Sequence, residues 1–309
     1  LNKNAKWSNG DPVTADDFVW SWKRILTASL GSQYPDMLYY LVGAYEYHNG
    51  QIDNFDEVGV KALDPHTLKV NLKNPTPFFI GLLSHYSTWP VHKETVLKHG
   101  DIDDRNGEWT RPGNFVCNGP FQLKTWELNN KIVVEKNPHY YDASMVRLNE
   151  IHYYPVSNVM TEDRMFRAGQ LHLTSSMPTQ KCPIYIEEKN PNLKIDPYMG
   201  TYFYRINTEN ETLSDVRVRK ALAYSIDRQL LVDKVTQCGQ IPAYSFTPPG
   251  SNGYQPSTEI PYDPVLAKQL LAEAGYSSDN PFPKLEILFN TNEGHRKVAL
   301  AIQQMWQNE

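Results

Sequence analysis

The sequence predicts an α/β chain folded into more than one lobe. Its 309 residues exceed what a single hydrophobic core usually organises. An apolar share of 40% is enough for packed cores and argues against disorder. Along the chain, the two-residue alternation of strands repeatedly gives way to the spacing of amphipathic helices, most clearly where the aromatic run at 201–207 leads into a helical pattern at 215–226.

In chain order, Trp7 and the Asn9-Gly10-Asp11 turn read as the end of a hairpin whose first strand is missing. Residues 12–26 are a helix. Thr14 supplies the cap, Asp16 and Asp17 suit the positive helix N-terminus, and Phe18, Trp22 and Ile25 form the apolar face. Residues 58–72 alternate as two strands around an Asp64-Pro65 turn. Pro75-Thr76-Pro77 opens a helix carrying Phe78, Phe79, Leu82 and Leu83, and residues 101–113 are a polar loop. Residues 118–126 and 131–141 make a hairpin turned at Asn129-Asn130, followed by a strand at 151–156, a helix at 161–168 ending near Gly169, and a strand at 170–174.

The stretch 202–228 then reads as a strand, a polar turn, and a helix that begins at Asp215 and ends in Ile226-Asp227-Arg228, with Ala221, Leu222 and Ile226 on its buried face. Asp263 caps the next helix, Pro264 sits in its first turn and Gly275 lies just past its end. A strand at 284–290 precedes a last helix at 295–309 with Val298, Ala301, Ile302, Met305 and Trp306 on one face. That helix has no C-cap glycine and no following strand, so the chain is expected to be the middle of a longer protein, cut at both ends. No internal repeat or low-complexity segment is present.

Composition removes several classes of function. Thirty basic against thirty-five acidic residues give a net charge of -5, the wrong balance for a nucleic-acid surface. No apolar run approaches a membrane span, and no signal peptide is seen. Cys117, Cys182 and Cys238 are an odd number, so at least one is unpaired. None lies in a Cys-x-x-Cys pair, and their state stays open, as does the redox compartment. There is no Gly-x-Ser-x-Gly elbow, phosphate-cradling loop, dinucleotide fingerprint, His-Glu-x-x-His or Cys/His cluster, so no catalytic residue, cofactor or metal is expected. The run from Asp101 to Glu108 fails as a calcium loop, because Arg105 takes a ligand position and Asn106 replaces the needed glycine. Adjacent Asp16 and Asp17, and Glu187 and Glu188, are better explained by helix-start electrostatics and solvation than by acid–base work. The 19 Tyr and 7 Trp suit either ordinary packing or a pocket that grips varied side chains.

Motifs in register along essentially the whole chain carry a resemblance. They are Trp7-Ser-Asn-Gly-Asp-Pro-Val-Thr-Ala-Asp-Asp-Phe18; Asp64-x-x-Thr67-Leu68 followed by Pro75-x-Pro77-x-Phe79; Gly119-Pro120-Phe121-x-Leu123; Asn137-Pro138-x-Tyr140-Tyr141; the stretch from Tyr202 to Ile226-Asp227-Arg228; and Asp263-Pro264-x-x-Ala267-x-x-Leu270-Leu271-x-x-Ala274-Gly275-Tyr276. Together they resemble the family 5 extracellular solute-binding proteins of peptide ABC transporters, of the oligopeptide-binding OppA type.

The resemblance implies a type II periplasmic binding fold of the peptide-binding cluster C, with mixed-sheet lobes around a cleft. It implies a small additional lobe at 1–92, part of a first ligand-binding lobe at 93–199 and part of a second at 200–309, with chain crossings near His92 and Gly200. It further implies a monomer, exported to the periplasm or cell surface, that captures oligopeptides and delivers them to an ABC permease in the inner membrane. Such a protein catalyses nothing.

A binder of unpredictable side chains should hold the peptide backbone by hydrogen bonds, as though extending a sheet, and leave roomy pockets for the side chains. By resemblance, Tyr39, Tyr40 and His85 lie in stretches that approach the ligand, as do Thr174, Ser175, Ser176 and Met177, and Tyr202, Phe203, Tyr204 and Arg205. The chain departs from the family pattern at several points. Ser175 and Ser176 replace an Asn pair in a segment one residue shorter. Arg205 stands where Glu is common, so a cation is offered to a ligand carboxylate unless a local acid pairs it. Thr236 replaces a Lys, and Gly200 replaces a Cys, so no bridge is expected there. The acid used for the peptide amino terminus falls beyond Glu309. His85 also fits a structural role. Alternative ligands on the same fold are a murein tripeptide, heme or glutathione. A peptide or glycan hydrolase, motivated only by a cleft, and an added role as a surface adhesin or immunogen stay open.

Overall fold

A computed structural model describes residues 1–196, 198–250 and 253–308, which form two units, Leu1–Pro155 and Val156–Glu309. The first unit opens with a tight turn that closes on itself. Trp7 N–H donates to Asp11 C=O at 2.8 Å and Val13 N–H to Ala5 C=O at 3.0 Å, around a Gly10 held at φ +96°. The hairpin expected to lack its first strand therefore finds that arm in residues 5–7. A side-chain-less residue suits a φ that L side chains rarely adopt.

Helix α1 (Ala15–Leu26) begins as the sequence predicts. Asp17 accepts the Thr14 N–H at 2.7 Å and the Trp7 indole N–H at 3.3 Å, so one buried carboxylate caps the helix and fastens the preceding turn. Trp22 and Leu26 on its inner face pack with Leu38, Leu41, Ala44 of α2 (Ala44–His48), Phe55, Val58, Val60 and Phe79. The Trp22 indole donates to Thr88 C=O at 2.8 Å, which satisfies its only polar group inside this core.

The antiparallel pair β1 (Val60–Asp64) and β2 (Thr67–Val70) lies against α1, and the expected helix after Pro77 is the single turn α3 (Phe79–Leu82). Buried His92 caps α4 (Lys93–Lys98), Nδ1 accepting the Thr95 N–H at 3.3 Å, while Nε2 faces Asp11 at 3.2 Å. The acidic loop at 101–108 is tied to the end of α1: Ser29 donates to Asp103 at 2.6 Å, and Arg24 to the Asp104 carbonyl at 2.9 Å. A three-stranded antiparallel sheet, β3 (Phe121–Glu127), β4 (Lys131–Lys136) and β5 (Glu150–Tyr153), completes the unit in the order β3-β4-β5. Asn129 takes the left-handed turn conformation at φ +58°.

The second unit is helical, with extended connections. Its helices are α5 (Val159–Arg167), α6 (Cys182–Glu187), α7 (Val216–Tyr224), α8 (Arg228–Leu231), α9 (Pro264–Glu273) and α10 (Glu293–Asn308). Helix α7 packs on α9, and Val218, Ala221 and Leu222 of α7, Ala267 of α9, and Val298, Ala299 and Ile302 of α10 are buried. The strands expected at 170–174, 201–207 and 284–290 form no ladder, and the first is bent at Gln170 and His172. Alternation selects an extended chain, but a strand also needs a partner to share its hydrogen bonds, and among the described residues none pairs with these three.

Helix α7 stops at Tyr224 rather than running through Ile226-Asp227-Arg228. Asp227 instead caps α8 by accepting the Leu230 N–H at 2.9 Å. A π-turn at Val232–Thr236 follows, and beyond it Cys238 is bonded to Cys182, leaving Cys117 the free cysteine. The sequence left this pairing open. Burial raises the Cys117 thiol above its ordinary value.

Candidate functional site

In the first unit, Tyr39, Tyr40 and His85 fall in separate ring clusters. Tyr39 packs edge-on to Tyr45 at 5.2 Å, and burial, with Asp36 nearby, raises its phenol. Tyr40 meets Phe78 edge-on at 5.3 Å. His85 stacks on Tyr86 at 4.3 Å and meets the edge of Tyr34 at 5.1 Å. Its Nδ1 accepts the Ser87 N–H at 3.3 Å, so the ring caps a short turn, and Nε2 is the nitrogen left for other contacts. The structural role considered for His85 is thus occupied, on one side of the ring only.

In the second unit, the Thr174–Met177 segment is anchored by a residue the sequence reading missed. Glu162, buried in α5, accepts the Ser175 N–H at 2.6 Å and the Ser175 hydroxyl at 3.0 Å. The hydroxyl has one proton and gives it to Glu162, so Ser175 has only lone pairs left for another group. Ser176 is exposed and Met177 half-buried. Neighbouring Asp163, also buried, pairs with Lys181 and, at 3.1 Å, with Arg167, which holds the start of α6 to α5. Two consecutive buried acids on α5, with serines thirteen residues after Glu162, were the available signal.

Residues 201–206 make no backbone–backbone hydrogen bond among the described residues. Their side chains alternate, as expected for extended chain. On one side the Tyr202 ring stacks on His295 of α10 at 4.6 Å and meets Tyr204 at 5.8 Å. Burial, then the neighbouring Tyr202, pushes the Tyr204 phenol up to about 12. On the other side the Arg205 guanidinium lies 6.0 Å from the Phe203 ring centre, and Phe203 meets Phe246 edge-on at 4.9 Å. The Thr201 hydroxyl donates to the Phe246 carbonyl at 2.7 Å and so fixes the loop that carries that ring. Arg205 is exposed and forms no ion pair with a described residue; the local acid considered as its partner is not there. His295 and Phe246 lie 90 and 41 or more residues away, so spacing gave no sign of either.

The arginines of the 215–228 motif have other duties. Arg217 pairs with Asp215 at 2.6 Å and donates to Glu273 C=O of α9 at 2.5 Å. Arg219 donates to Leu213 and Ser214 carbonyls, and Arg228 to those of Ala223 and Ile226. All three satisfy carbonyls at helix ends and turns, so this motif is scaffold.

Grooves among the described residues of the second unit include a larger and a smaller one. The larger, about 720 Å³, is lined mainly by apolar side chains, including Leu222, Leu271, Phe282, Ile287, Leu300 and Trp306, and contains none of the expected ligand residues. The smaller, about 350 Å³, mixes Val235 and Leu300 with polar side chains: Lys297 Nζ donates to the Thr179 hydroxyl at 3.1 Å and to Gln180 at 3.0 Å. Among the described residues no group of three His, Cys, Asp or Glu side chains is gathered to hold a metal, and no helix is long and apolar enough to cross a membrane.

Comparison with known proteins gives a consistent result. The family model "Bacterial extracellular solute-binding proteins, family 5 Middle" matches residues 1–308. The periplasmic oligopeptide-binding protein OppA of Salmonella typhimurium is 39% identical over 99% of the chain, which spans 57% of that protein's length. The structure of the Escherichia coli murein tripeptide binding protein MppA superposes with a TM-score of 0.89 at 34% identity, covering 100% of this chain and 60% of that one. The structure of Haemophilus influenzae OppA in complex with RPPGFSPFR gives 0.88 at 36% identity, with the same coverage.

Proposed function

This chain belongs to family 5 of the bacterial extracellular solute-binding proteins and has the α/β fold of the type II periplasmic binding class, and on that premise we propose that it is part of a protein that captures oligopeptides and hands them to an ABC permease. The observation that carries the reading is segment 201–206, which makes no backbone–backbone hydrogen bond among the described residues and whose Tyr202, Phe203 and Arg205 side chains stand exposed. An extended peptide finds there the two things it needs, backbone donors and acceptors along a strand and accommodating surfaces for alternate side chains.

Tyr39, Tyr40 and His85, Thr174 to Met177, and Tyr202 to Arg205 are kept as the candidate ligand residues, with the lobes at 1–92, 93–199 and 200–309. In this reading the protein is exported, acts as a monomer and catalyses nothing. Its relatives are binding proteins rather than enzymes. The test is calorimetric titration with a varied library of short peptides, using the protein at the full length of its relatives. Binding to many sequences is the expected result. Absence of binding across the library, or turnover of the peptides, overturns the reading.

A second ligand, a murein tripeptide, is favoured by one feature of the chain, the Arg205 cation with no ion-pair partner among the described residues, together with the likeness to MppA. Competition between a murein tripeptide and simple peptides for one site separates the two.

A further inference from the structure

Three ties within the second unit cross position 200, the boundary proposed between the lobes 93–199 and 200–309. The first is covalent. Cys182, fully buried at the start of α6, is bonded to Cys238, and their Cα atoms lie 5.4 Å apart. The second is polar: Lys297 of α10 donates to the Thr179 hydroxyl and to the Gln180 side-chain oxygen. The third is a close approach. A Cβ at Gly239 would lie 2.8 Å from Cγ2 of Ile195, so only a glycine lets that side chain in. The chain that carries Cys238 is itself held in an uncommon shape. The π-turn at Val232–Thr236 runs into Gln237 at φ +53° and Gly239 at φ +82°. A glutamine in the left-handed region persists where its surroundings hold it, and here its N–H donates to Val232 C=O at 2.9 Å with the disulfide next in sequence.

We propose that the Cys182–Cys238 bond is a latch that pins the two proposed ligand-binding lobes together at the π-turn, so that they part by pivoting about this point and cannot separate there. This deepens the proposed function and rests on its division into lobes. A protein that encloses its ligand must open to admit it, and the motion is taken up by a few hinge residues. Chain crossings alone leave two lobes free to swing and to twist. A covalent bond beside a crossing removes much of that freedom from the open state. Lys297 is the noncovalent part of the same latch, since its two bonds join α10 to the residues just before α6. The restraint also reaches the candidate ligand residues. Lys181, next to Cys182, pairs with Asp163 of α5, and Glu162 of α5 holds Ser175. With fewer open conformations available, the closed state gains population, and a bound peptide leaves more slowly.

The experiment uses the protein at its relatives' full length and compares wild type with the Cys182→Ala and Cys238→Ala double variant. Small-angle scattering without ligand reads the opening. Stopped-flow release of the tightest binder from the short-peptide library reads the exchange. The double variant is expected to have the larger radius of gyration when empty and the wild-type radius when filled. Its peptide release is expected to be roughly five- to a hundredfold faster, the usual span of coupling between two states. Lys297→Met, which keeps the disulfide, shifts both readings the same way by less. A cooperative melt shows that a variant folds, and if the double variant gives none, Lys297→Met decides. Identical scattering and equal release rates show the bond to be a brace within one rigid body and overturn the latch, while peptide binding in the same samples leaves the proposed function standing. Failure of every peptide to bind wild type overturns the proposed function, and a wider empty variant then still supports the latch.

Discussion

At the scale of single residues, the decisive groups are acids whose partners lie far along the chain or across a sheet. Glu162 holds Ser175 by two bonds, so Glu162→Ala is expected to lower stability by about 1–3 kcal/mol through unpaired groups, with Glu162→Gln closer to wild type because an acceptor remains. Urea unfolding of the two variants measures this. Glu150 bonds His152 at 3.0 Å and Lys124 at 2.5 Å, and these partners lower its carboxyl from 4.5 to about 2. A depressed folded value stabilises the fold above the unfolded value, and the benefit is lost as pH falls through the folded one. Glu150→Gln should therefore flatten the acid loss of stability between about pH 4.5 and about pH 2, as followed by melting temperature across that range. Neither acid was legible as important in the sequence. Helix caps were: Thr14, Asp215 and Asp263 bond, or are bonded, within three residues, and local chemistry determines them. Ser175 was read as a residue that approaches the ligand, and its bond to Glu162 depends on how α5 returns to that loop.

At the scale of elements, α1, α5, α9 and α10 were read within a few residues, because amphipathic spacing and capping are both written locally, whereas the short helices α2, α4 and α6 were not read. The long 202–228 motif shows the limit of this. Its apolar positions located α7, while Arg217, Arg219 and Arg228 satisfy carbonyls at the end of α9, in the turn before α7 and at the end of α7. The three expected strands of the second unit were legible as extended chain and not as sheet, since pairing is a property of two segments at once. The bond between Cys182 and Cys238 was likewise invisible, because three cysteines permit several pairings. It closes a separation of 56 residues between α6 and the turn after α8. Chain-entropy arguments assign such a loop about 4 kcal/mol. A Cys182→Ala and Cys238→Ala double variant should melt markedly below wild type, and reductant should lower wild type to the same point while leaving the variant unmoved. In the first unit, α1 is the central element. Trp22 is 1% exposed and bonded to Thr88, and Trp22→Ala is expected to cost about 3–5 kcal/mol from cavity formation, read as a shift of the urea midpoint.

At the scale of the whole molecule, family and fold were legible because the motifs that carry them are scaffold: a capped α1, the hairpin turns, the arginines of 215–228 and the capped α9. The ligand residues were less legible, since what a side chain can offer depends on what already occupies it. Ser175 donates its hydroxyl to Glu162, Tyr202 has a ring partner, and Arg205 pairs with no acid among the described residues. The central claim is that this chain is part of a peptide carrier, and native mass spectrometry of the protein at its relatives' full length, as purified, tests it most directly. The account predicts extra mass spread over a range of values that departs as peptides on activation. A bare chain that stays bare after incubation with a complete short-peptide library would contradict it.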